Sequence, residues 1–127
     1  MNQSDYEIRL LHQLTGFLAE LTTKAQALHS EHPFMDWLLK TSATCEQRPI
    51  DYNLVTQQVI ALFTHYTDMA PLFPRDVLYF LGGDCLHFMP DEEIAAYQAL
   101  DEMRFEALAQ RKTFDWEHAK ESLKKLQ

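Results

Sequence analysis

Glycine is nearly missing from this chain, with three residues in 127, and proline is held to five. That scarcity, with Leu, Ala, Gln, Glu and Met filling the intervals, argues against many short strands and for helices. No alternating run carries hairpin chemistry, and no repeat or low-complexity linker interrupts the chain. Positive charge is scarce too: 11 Lys and Arg stand against 19 Asp and Glu, a formal net charge of −8. A domain that neutralises several phosphates needs a basic stripe. The only basic clusters here are Arg111-Lys112 and Lys124-Lys125, near helix ends where cations suit the macrodipole. Neither nucleic acid nor an anionic membrane is therefore expected as a partner.

Cysteine is limited to Cys45 and Cys85, which form no CxxC pair. A disulfide between them is not needed for folding, and reduced thiols in a cytoplasm are the expectation. No apolar run approaches the ~18–20 residues of a membrane span. The first residues, Met1 to Asp5, lack the positive and apolar regions of a secretory signal. Phosphate-binding, zinc-protease, serine-hydrolase and calcium-loop motifs are also missing, which lowers the expectation of an enzyme.

What is present is a globular composition, 46% hydrophobic and 24% charged, which excludes wholesale disorder. The length suits one domain spanning residues 1–127, large enough to bury roughly two-thirds of its unfolded surface without a metal or disulfide. The pattern predicts an all-α, compact bundle of about five or six helices joined by short loops.

A first helix starts after Ser4 or Asp5 and ends near His29, with Leu10, Leu14, Phe17, Leu21 and Leu28 on one face and Ile8, Leu11 and Leu18 widening it. Gly16 in its interior either admits a neighbouring helix or is tolerated. A short second helix starts at Pro33 with Phe34, Trp37 and Leu38 inward, and the polar stretch from Thr41 to Arg48 reads as a mobile loop. A third runs from the Asp51 cap to about Met69 on Val55, Val59, Leu62, Tyr66 and Met69. A fourth starts at Pro74 and, because the spacing of Val77, Leu81, Asp84, Cys85 and Phe88 survives the glycine pair, is read as continuous to Phe88. A fifth starts at Pro90-Asp91-Glu92-Glu93 and runs to about Gln110, with Ala96, Leu100, Met103 and Ala107 inward and Tyr97, Phe105 and Leu108 beside them. A sixth follows a Thr113 or Asp115 cap, with Trp116, Ala119 and Leu123 inward.

The densest chemistry lies in Gly82-Gly83-Asp84-Cys85-Leu86-His87. On a helix Asp84 and His87 stand one turn apart, so the carboxylate can orient the imidazole or share a metal with it. Cys85 is a nucleophile candidate if His87 lowers its pKa, but the two diverge by about 200° on a helix. The plainer reading makes Asp84 a cap, Cys85 a small core residue and His87 a local hydrogen-bonder, and it is preferred. Asp115-x-x-His118 and His29-x-x-His32 repeat ligand-like spacing, but the matching inward Glu of a two-metal bundle are missing, so neither metal nor cofactor is expected.

Leu72, Phe73, Tyr79, Phe80 and Phe88 crowd around the two glycines. They form either a docking surface or, more simply, a tight helix crossing that uses the glycines for clearance. The functional expectation is a small acidic cytoplasmic module that binds another protein or a second copy of itself. Its expected contacts are the first helix and Phe73, Arg75, Tyr79, Gly82, Gly83 and Phe88. The alternative is a small enzyme or metal-binding protein with its site at Asp84, Cys85 and His87, joined by His65 or His118. A nucleic-acid mimic is disfavoured, because the carboxylates are scattered rather than arrayed on one face.

Overall fold

The computed structural model describes residues 2–27 and 32–126. Among the described residues six α-helices run in chain order: α1 Gln3–Ala25, α2 Pro33–Glu46, α3 Tyr52–His65, α4 Arg75–Leu81, α5 Asp91–Ala109 and α6 Trp116–Leu126. Two 3₁₀ segments, Thr67–Leu72 and Gly83–Phe88, flank α4, and no strand occurs among the described residues. The all-α class read from the sequence is the class observed. No helix of the described residues is long and apolar enough to cross a membrane.

Local chemistry sets most helix starts. Asn2, rather than Ser4 or Asp5, caps α1: its Oδ1 accepts the Asp5 N–H at 2.8 Å while its own N–H reaches back to Asp5 Oδ2 at 3.4 Å. His32 caps α2 through Nδ1, which accepts the Phe34 N–H at 3.1 Å ahead of a proline in the first turn. Asp51 caps α3 and Asp115 caps α6 as expected, accepting from the N–H groups of Leu54 at 3.1 Å and His118 at 3.0 Å. α1 ends at Ala25; its expected last turn, with Leu28 and His29, falls outside the described residues.

Three expectations are corrected. The polar stretch after Lys40 is helix up to Glu46, not a mobile loop, and Thr41, Thr44 and Cys45 are buried. α3 stops at His65 instead of Met69, because Pro71 offers no N–H and crowds the carbonyl one turn back, and the chain tightens into the 3₁₀ turn. The fourth helix is not continuous across the glycines. It ends at Leu81, with Gly82 at φ 64°, ψ −152° and Gly83 at φ 52°, conformations that end a right-handed helix and that residues with a Cβ rarely adopt.

The chain divides into two compact units. One is Leu10–Phe88. Leu14, Leu18, Leu21 and Ala25 of α1 are buried there, as are Leu38 of α2, Val55, Val59, Leu62 and Phe63 of α3, and Val77 and Leu78 of α4. α2 and α3 are tied by polar contacts as well: Trp37 Nε1 donates to Gln58 O at 2.7 Å and Gln58 Nε2 to Thr44 Oγ1 at 3.0 Å. The buried Asp76 carboxylate accepts from Gln13 Nε2 at 2.9 Å.

The other unit is Met1–Arg9 with Met89–Gln127. Its centre is Trp116, packed against Tyr6 at 5.2 Å and Tyr97 at 6.3 Å between ring centroids. Arg104 of α5 is buried beside them. Its guanidinium lies 4.0 Å from the Tyr6 ring centroid and 4.4 Å from that of Phe105. It also donates to Gln3 Oε1 at 3.1 Å and to Asp101 Oδ1 at 3.3 Å. A buried guanidinium is tolerable because rings and acceptors take the place of water.

Candidate functional site

The structure keeps Asp84 and His87 together on the 3₁₀ turn Gly83–Phe88, with Oδ1 and Nε2 3.7 Å apart, but both side chains are about four-fifths exposed. Cys85 between them points the other way and is fully buried. Burial first, and the Asp84 charge second, push its thiol up to about 11. A nucleophilic cysteine needs the opposite shift. Cys45 is buried and shifted in the same direction, again mainly by burial. Among the described residues no group of three or more His, Cys, Asp or Glu is placed to hold a metal ion, and His65 and His118 are both exposed.

Of the expected contact residues around the glycines, Phe73 is buried, Arg75, Tyr79, Gly82 and Phe88 are half-buried and Gly83 is exposed. Phe73 is buried edge-on to Phe17 and Phe63, at 5.1 and 5.4 Å, and Phe63 also meets Phe88 at 4.7 Å. Arg75 clamps the two 3₁₀ segments: Nη1 donates to Ala70 O and Nη2 to Phe88 O, both at 2.9 Å. The glycines do not serve clearance. A Cβ on Gly83 meets nothing within 4 Å, and one on Gly82 meets only the Tyr79 and Phe80 carbonyls at ordinary contact distance. Backbone conformation is what requires them. Helix α1 shows one large apolar side chain to solvent, Ile8.

Among the described residues, α5 carries the densest group of exposed large apolar side chains. Met103, Phe105 and Leu108 are 39%, 53% and 42% exposed, three positions within six residues. The other large apolar side chains left in water among the described residues are Ile8, Leu39 and Leu72, each isolated, and the pair Tyr52 and Leu54 at the start of α3, both only 37% exposed. Buried Tyr97, Leu100 and Arg104 form the inner strip of the helix. Its acids are Asp91, Glu92, Glu93, Asp101, Glu102 and Glu106, and its one cation, Arg104, is 2% exposed. The outward charge of α5 is therefore entirely negative.

A family model described as PA2817-like matches residues 1–127. The chain belongs to the PA2817-like family. Comparisons with curated proteins and with solved structures return no match. In this PA2817-like chain the sequence pattern took Met103, Phe105 and Leu108 for core. The missed signal is the width of the apolar arc on α5. At about 100° per residue, the arc from Met103 across the buried strip to Phe105 spans some 200°. One packed helix covers the middle of such an arc and leaves both edges wet.

Proposed function

We propose that this PA2817-like protein is a protein-interaction module whose contact surface is the outward face of α5 from Glu102 to Leu108. The observation that carries the reading is the set of three large apolar side chains exposed within six residues of one helix. Cysteines that are free and buried suit a reducing compartment and support a cytoplasmic setting for the module. A homodimer through the same face is the second occupant to consider; it sets Glu102 and Glu106 against their own copies, so a different protein is the favoured partner. The enzyme reading at Asp84, Cys85 and His87 draws no support from a sealed thiol beside an exposed Asp84–His87 contact.

A photo-crosslinking amino acid placed at position 105, with another at the exposed Leu39 position of α2 as control, tests this in the protein's own cells. The expected result is a discrete adduct from 105, lost when Leu108 becomes Ser, and none from 39. Equal labelling from both positions, or none from 105, contradicts it.

A further inference from the structure

We infer that the segment seated on α5 is a cationic amphipathic stretch of the partner protein, an inference that rests on the interaction reading above. The order of side chains around the helix carries it. At about 100° per residue, the outward face runs Leu108, Phe105, Glu102, Glu106, Met103 in steps of roughly 40–60°. Two carboxylates therefore sit between two apolar edges. Glu102 and Glu106 are both exposed, one helical turn apart. Like charges at that spacing destabilise a helix by a few tenths of a kcal/mol, a cost that an opposing cation removes.

Lysine and arginine fit such a surface closely. Their alkyl stems cover apolar surface while the charged head reaches beyond it, here from Phe105 or Met103 to the carboxylates. Phe105 already receives the Arg104 guanidinium at 4.4 Å and is still 53% exposed, so its ring can accept a second cation. Methionine at the other edge adapts to irregular apolar side chains. The cationic stretch is bounded in one direction, because Arg111 and Lys112 are exposed just past the end of α5 and repel it there. A wholly acidic segment, an anionic lipid surface and a second copy of this face all place negative charge against Glu102 and Glu106.

The probe is a fluorescent amphipathic helical peptide of leucine and lysine, titrated into the full chain by anisotropy, with a leucine–glutamate peptide of the same pattern as control. The leucine–lysine peptide binds and weakens as salt rises, and the control does not bind. Phe105→Ser, and separately Leu108→Ser, each weaken binding about tenfold, as truncated anchors do. Glu102→Gln with Glu106→Gln weakens it roughly three- to tenfold and flattens the salt dependence. Asp91→Asn with Glu92→Gln removes the same charge about 19 Å away along the helix, beyond a Debye length, and leaves affinity within roughly twofold.

Equal binding of the two peptides, or equal loss from the two charge-removing pairs, overturns the inference. So does partition onto phosphatidylglycerol vesicles that Phe105→Ser abolishes, or a dimer in sedimentation that Phe105→Ser dissociates. If position 105 crosslinks to a partner in cells while the leucine–lysine peptide fails to bind, only the cationic occupant is lost. If position 105 gives no adduct, the interaction reading itself is lost.

Discussion

At Cys85 the position of one side chain decides its chemistry. Held without solvent, the thiol keeps its proton up to about 11 against an ordinary 9.0. Between those values the unfolded chain gives up a proton that the folded chain retains, so rising pH favours unfolding. The contribution is whole below about pH 9 and is lost progressively towards about pH 11, worth roughly 2–3 kcal/mol at most. Denaturant midpoints should fall across that window more steeply in the parent than in Cys85→Ala; parallel curves contradict the assignment. Thiol-reactive dyes should label Cys85 in the native protein far more slowly than in the unfolded chain. The glycines make a similar point by contrast. Gly82→Ala forces a Cβ into φ 64°, ψ −152° and should cost about 1–3 kcal/mol. Gly16→Ala, in a helix with open space around the added carbon, should gain about 0.5–1 kcal/mol. Thermal or urea melts of the two variants should move in opposite directions. All three glycines were visible in the sequence, but the sign of each φ was not, because helical spacing continues past Gly82 whether or not the backbone does.

Elements were legible where local chemistry decides and obscure where packing does. The caps at Asp51 and Asp115 and the acidic start of α5 follow from side chains beside their own backbone, and they were readable. The extension of α2 was not. Thr41, Ser42 and Thr44 look like loop, yet Thr44 Oγ1 donates to Lys40 O at 3.0 Å and accepts from Gln58, which satisfies its hydroxyl inside the helix. The end of α5 is a Schellman motif, with Arg111 N–H on Leu108 O at 3.1 Å and Lys112 N–H on Ala107 O at 2.8 Å. Arg111 occupies the left-handed position at φ 56°. Arg111→Gly should therefore stabilise the protein by about 0.5–1 kcal/mol, read as a rise in melting temperature. No change or a fall would mean that the Arg111 side chain makes a contact worth more than the backbone strain.

For the molecule as a whole, the aromatic segment around the glycines buries Phe73 and leaves Tyr79, Phe80 and Phe88 half-buried, while α5 carries the densest group of exposed large apolar side chains. Periodicity identifies which residues are apolar and leaves open how much of a wide stripe its neighbours cover. That question is the central one, because Met103, Phe105 and Leu108 are either an under-packed part of the interior or a surface held ready for a partner. The double variant Phe105→Ser with Leu108→Ser in equilibrium urea unfolding separates the two most directly. An exposed contact surface predicts a stability within about 1 kcal/mol of the parent, with the lost Arg104–Phe105 contact the main cost. A loss of about 4 kcal/mol or more, as expected for two truncated core side chains, would place them in the interior and contradict the account.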